Sequence, residues 1–119
     1  MSREIKFRDW NPETKEMQYF DLDGYDREVH DAYGNIMQFT GLLDKNGKEI
    51  FENDIVCWTF DEKTKKEIVF HEGCFGHFNF MGINNEYAEF IPIDKKRAEY
   101  MIVIGNIYQN PELLGGENE

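Results

Sequence analysis

Leu42-Leu43-Asp44-Lys45-Asn46-Gly47-Lys48-Glu49-Ile50-Phe51 sets two apolar runs on either side of an Asn-Gly pair. That pair is the strongest short-range hairpin signal in the chain. A type I′ turn needs positive φ at both central residues, which Asn and Gly tolerate best. Downstream, Asp54-Ile55-Val56-Cys57-Trp58-Thr59-Phe60 reads as a strand, Asp61 to Lys66 as a charged turn, and Glu67-Ile68-Val69-Phe70-His71 as the return strand. Glu72-Gly73 turns the chain into Cys74 to Met81, where Phe78 and Phe80 alternate with His77 and Asn79. Tyr87 to Ile93 is the next strand, and Pro92 marks an edge or an end. Asp94 to Glu99 suits a short helical turn. Tyr100-Met101-Ile102-Val103-Ile104 is nearly all apolar and is expected to be the most buried strand.

Upstream the pattern repeats. Ile5, Phe7 and Trp10 mark a first strand, with Lys6 and Arg8 expected to point the other way. Asn11-Pro12-Glu13-Thr14-Lys15 has the chemistry of a turn, since Pro presets φ and Asn favours turn entry. Glu16 to Phe20 is the partner strand. Residues 21–34 are acidic, flanked by Gly24 and Gly34, and read as a loop with room for one helical turn around Tyr25 to His30. Ile36 to Thr40 resumes strand character. About eight short strands at regular spacing point to an all-β barrel or sandwich.

Composition narrows the function classes. The chain has 119 residues, enough for one domain, and its 40% hydrophobic and 15% aromatic content excludes a disordered polymer. The net charge of −11 is spread along the whole length. Phosphate contacts need clustered cations, so direct nucleic-acid binding is not expected. Lys95-Lys96-Arg97 is the sole basic run, and Asp94 and Glu99 flank it. No apolar run approaches the ~20 residues of a membrane helix, and the polar start lacks a signal-peptide core. A cytoplasmic protein is expected, with Cys57 and Cys74 as buried thiols.

His71-x-x-Cys74-x-x-His77 is the one cluster of metal-ligand side chains, and Cys57 is a conceivable fourth ligand. Its spacing crosses the Glu72-Gly73 turn, so it reads more simply as two surface histidines and a core thiol. A Cys–His nucleophile pair lacks an orienting third group and an oxyanion site. There is no Gly-rich phosphate loop, and no cofactor is expected. Phe75, Phe78, Phe80, Tyr87 and Phe90 lack the interleaved cations of a base-stacking groove, which leaves the core or a subunit interface as their use. The carboxylates of residues 21–31 lack EF-hand spacing and read as a solvated loop.

Gln38-Phe39-Thr40-Gly41-Leu42 running into Asp44-Lys45-Asn46-Gly47-Lys48-Glu49-Ile50 is followed by Phe51-Glu52-Asn53-Asp54-Ile55-Val56. Together with Ile104-Gly105-Asn106-Ile107-Tyr108-Gln109-Asn110-Pro111-Glu112-Leu113-Leu114 and the opening Ile5-Lys6-Phe7-Arg8-Asp9-Trp10, these segments resemble the YopX family of phage and prophage proteins. Asn53 stands where the family commonly has Gly, a position expected to need a left-handed backbone. The resemblance implies a mainly β fold: an SH3-like β-barrel over residues 38–114, an N-terminal hairpin and acidic loop over 1–37 packed against it, one or two short helical turns, and a frayed tail at 115–119. It carries over no catalytic residue. The function expected is that of a phage accessory protein in the host bacterial cytoplasm, self-associated and acting by contact with an unidentified host or phage protein. The alternative is an acidic decoy filling the basic cleft of a host nucleic-acid enzyme. A hydrolase or metal enzyme built on His71, Cys74 and His77 ranks third.

Overall fold

A computed structural model describes residues 4–27 and 34–115. Residues 28–30 of the helical turn expected around Tyr25 to His30, and 116–119 of the tail expected at 115–119, lie outside these residues. The chain is mainly β. Its strands are β1 (Lys6–Asn11), β2 (Glu16–Asp21), β3 (Met37–Leu43), β4 (Glu49–Phe51), β5 (Asp54–Trp58), β6 (Asp61–Glu67), β7 (Val69–His71), β8 (Cys74–Met81), β9 (Tyr87–Pro92) and β10 (Met101–Asn106). A 3₁₀ turn spans Ile83–Asn85, and the short helices are α1 (Lys95–Ala98) and α2 (Glu112–Gly115).

The barrel expected over residues 38–114 does not close. The strands form three open antiparallel sheets, ordered β2-β1-β3-β4, β10-β5-β6 and β7-β8-β9. A barrel needs one continuous staggered ladder, and here the ladder breaks at Ile68. Its N–H still donates to the Asp54 carbonyl (2.8 Å) and its carbonyl accepts from Asn53 N–H (2.6 Å), and beyond these bonds Val69 enters a new sheet. The N-terminal hairpin is built into the first sheet, through Phe7 opposite Gln38 and Arg8 opposite Met37.

Three local readings change for stated reasons. Asp61 to Lys66 is not a turn but most of β6, recruited by the apolar β5 (Ile55 opposite Glu67, Val56 opposite Lys66). Its Lys and Glu side chains suit an outer strand, since charge discourages edge-to-edge pairing. The Asn46-Gly47 hairpin forms, but only Gly47 has positive φ (82°). Asp44 Oδ1 accepts from the N–H groups of Asn46 and Lys48 (both 2.8 Å) and converts the turn into a three-residue loop ending on a left-handed Gly. β5 rather than β10 is the most continuously buried strand, because Ile102 and Ile104 are only half-buried. Asn53 adopts the left-handed conformation expected of it, at φ 70°.

The main apolar core joins Ile50, Val56, Ile68, Ala98, Met101 and Val103, with Trp58 and Phe75 packed against it. Buried polar groups join the sheets to one another. Arg8 of β1, expected on the solvent side, is buried and pairs through its guanidinium with Asp54 of β5 at 2.8 Å. The other Asp54 oxygen accepts from Phe51 N–H at 2.7 Å, and the Arg8 guanidinium lies 4.7 Å from the Phe51 ring centre. Burial pushes the Asp54 carboxyl up from its ordinary value against the downward pull of Arg8. The pair therefore gives little net stability over apolar packing, while either charge left alone is costly. Asp54→Ala is expected to lower unfolding stability by about 3–5 kcal/mol in urea denaturation, and Arg8→Met combined with Asp54→Leu by much less.

Candidate functional site

The β7-β8-β9 sheet holds every candidate site residue read from the sequence except Cys57, which lies in β5. Register divides them between its two faces. His71 faces Cys74, Phe78 faces Phe90, and Phe80 faces Ala88 across the ladders, which puts them on one face. Phe75, His77 and Tyr87 lie on the other. Gly76 permits the close approach of β9, because a Cβ there would sit 2.3 Å from the Ile91 carbonyl and 2.7 Å from the Phe90 ring.

His71, Cys74 and His77 therefore do not converge on one point. Among the described residues no group of three His, Cys, Asp or Glu side chains is placed to hold a metal ion. The expected pattern of two surface histidines and a core thiol is inverted in part: Cys74 is exposed, whereas His77 is buried at 2% exposure. His71 stacks into an aromatic cluster, 5.0 Å from Phe78 and 4.9 Å from Phe90 between ring centres. Cys57 is buried in β5, and burial pushes its thiol up, away from the reactive thiolate.

The five candidate interface aromatics also separate. Phe75 turns inward against the core, and Phe78 and Phe90 pack on each other at 5.3 Å. Phe80 and Tyr87 remain open, 59% and 63% exposed, and Ile83 between them is 81% exposed. These three sit at the free end of the β8–β9 hairpin and make it an apolar tip. Ile83 was not singled out in the sequence, where Gly82-Ile83-Asn84-Asn85 reads simply as a turn; an Ile within such a turn was the available signal. A radius of gyration of 15.0 Å, against about 13.5 Å for a compact chain of this length, fits an extended shape. A groove of about 240 Å³ runs behind the tip between Val69, Phe78, Phe80, Leu114 and the β6 residues Lys65 and Lys66.

The residues that carry the family resemblance are used elsewhere, for joining backbone. Besides its turn, Asp44 accepts from Val103 N–H of β10 through Oδ2 (2.9 Å). Asn106 Oδ1 caps the N–H groups of Tyr108 (3.0 Å) and Gln109 (2.9 Å), and Asn110 Oδ1 accepts from Asn106 N–H (3.2 Å). Gly105 leaves room for this, since a Cβ there would lie 2.5 Å from Asn110 Oδ1. None of these groups lines a pocket with a nucleophile and its base.

Fold and surface together define a small, mainly β protein of open sheets with an apolar hairpin tip. Its sequence matches the YopX protein family over residues 21–115, and the chain belongs to that family. The match begins at the end of β2, so the resemblance noted for Ile5 to Trp10 lies outside it. The chain is also similar to the crystal structure of protein EF1440 from Enterococcus faecalis, with 27% identity and a TM-score of 0.60 over 95% of this chain and 99% of that one. No curated protein matches it. Among the described residues no helix is long and apolar enough to cross a membrane.

Two outcomes follow from this geometry. One equivalent of Zn²⁺ is expected to leave the thermal midpoint of tag-free protein unchanged, because the ligands lie on opposite faces; a rise of several degrees that Cys74→Ser abolished would contradict this. Gly105→Ala is expected to lower stability by about 1–3 kcal/mol in a urea titration, through the clash with Asn110.

Proposed function

We propose that this chain is a phage- or prophage-encoded accessory protein that works by protein–protein contact in the bacterial cytoplasm. It self-associates through the tip of the β8–β9 hairpin, and a second copy of the chain is the first occupant of that tip. The exposure of Phe80, Ile83 and Tyr87 on one projecting hairpin carries this reading. Large apolar side chains exposed on both faces of one hairpin end are a costly surface to leave in water and a common feature of contact sites. Among the described residues strand β9 ends its sheet, and an edge strand is a natural place for another strand to pair.

The alternative is the acidic decoy, which draws on the net charge of −11 and on the exposed Asp21, Asp23 and Asp26. The two readings differ in their response to salt. An apolar contact holds as ionic strength rises, whereas a charge-driven one weakens steeply.

Light scattering across a range of concentrations, at low and high salt, tests the proposal. The expected result is a mass of at least a dimer that persists in 1 M salt, as estimated from the short screening length there of about 3 Å. Ile83→Glu combined with Phe80→Glu should return a folded monomer. A wild-type monomer at millimolar concentration overturns self-association. A host nucleic-acid enzyme captured at low salt and lost at high salt replaces it with the decoy.

A further inference from the structure

His77 is used neither by the candidate interface nor by any metal cluster. It lies near the middle of β8 on the inward face of the β7-β8-β9 sheet, and it is 2% exposed. Neither ring nitrogen has a hydrogen-bond partner among the described residues. A buried polar group normally finds one, and an exception calls for an explanation. The ring meets Trp58 of β5 edge-on, 5.4 Å between centres at an interplanar angle of 73°. His77 thus sits at the seam between the β7-β8-β9 sheet and the β10-β5-β6 sheet.

The charged groups around this seam oppose a second positive charge. From β6, Lys66 reaches across to β8, with its Nζ 3.3 Å from both the Phe78 carbonyl and Asn79 Oδ1. From α1, Arg97 acts on the ring from a distance, its own guanidinium held by Asp94 at 2.9 Å. Trp58 brings no charge from β5. On β9 the residue opposite is Ile91, and the nearest carboxylate in register is exposed Glu89, two pairs further along opposite Asn79. The Phe78 carbonyl, which already accepts from Lys66, favours an imidazolium, but burial and the two cations outweigh it.

We propose that His77 is a pH-operated latch. As the neutral imidazole it seals the β7-β8-β9 sheet against Trp58, and on taking up a proton it releases that seam. Burial, and then the charge of Lys66, hold its proton affinity below the ordinary value of 6.5. The released ring binds a proton at a higher pH than the packed ring, so the closed seam is at full strength at neutral pH and weakens as pH falls below about 6.5. The aromatic packing of Trp58 and Phe75 against the core is what the release uncovers.

Nuclear magnetic resonance of the full chain between pH 7.5 and pH 5 tests this, a window above the ordinary titration of carboxylates. The Trp58 indole N–H signal and the protection factors of β8 and β9 amides, corrected for intrinsic exchange, are the readouts. The expected result is a shift of the indole signal and a loss of protection of about tenfold per pH unit below the ordinary histidine value, up to the limit where the packed ring also titrates. His77→Phe should hold both readouts flat, whereas His71→Gln should keep the wild-type response. A flat wild-type response, or the same response in His77→Phe, overturns the latch. Should His77→Phe not fold, the imidazole carbon signals of wild-type His77 decide the matter: titration at an ordinary 6.5 or above refutes it, and titration below 6.5 in step with the Trp58 shift supports it.

Discussion

The ion pair between Arg8 and Asp54 joins two sheets that share no backbone ladder. Arg8 belongs to the β2-β1-β3-β4 sheet and Asp54 to the β10-β5-β6 sheet, and both side chains are almost wholly buried. Two charges in an apolar interior tolerate one arrangement, because any other leaves an uncompensated charge out of water. Asp54 also fixes the Phe51 N–H, so the same carboxylate sets the turn between β4 and β5. Asp44 does a parallel job at the other end, holding its own loop and the edge of β10. Open sheets without a shared barrel ladder depend on such point contacts for their relative placement.

This accounts for how the family's most recognisable residues are spent. Asp44, Gly47, Asn53, Asp54, Gly105, Asn106 and Asn110 bond to backbone, adopt left-handed φ or make room for a neighbour. They are architectural groups. The third sheet leaves Phe80, Ile83 and Tyr87 exposed at the end of its β8–β9 hairpin, while Tyr19, Leu22 and Phe60 are exposed elsewhere on the molecule. That sheet meets the rest of the protein through Phe75, His77 and Lys66, a short contact beside the extensive core of the other strands.

Much of the fold was legible because strands and turns are local. The Asn11 to Lys15 turn, the Asn46-Gly47 hairpin, the left-handed Asn53 and the helical turn after Asp94 all follow from side chains acting on backbone within a few residues. Errors arose where a distant partner overrode the local signal. Asp61 to Lys66 looks like a charged turn until β5 offers it a ladder, and Arg8 looks solvent-facing until Asp54 offers it a counter-charge. The candidate site was legible as a set of residues but not as a geometry, since a single register assigns Phe75 to the core, Phe78 and Phe90 to each other, and Phe80 to water.

The sequence by itself determined a mainly β chain, its turns, its acidity and its membership of a family, since each depends on composition or on neighbours along the chain. Only the tertiary structure decided that the sheets stay open, that His77 is buried while Cys74 is exposed, and which apolar groups remain on the surface. Those outcomes depend on which face of a strand meets which other strand. In a β-sheet a one-residue change of register reverses every side chain, and long-range pairing alone fixes the choice.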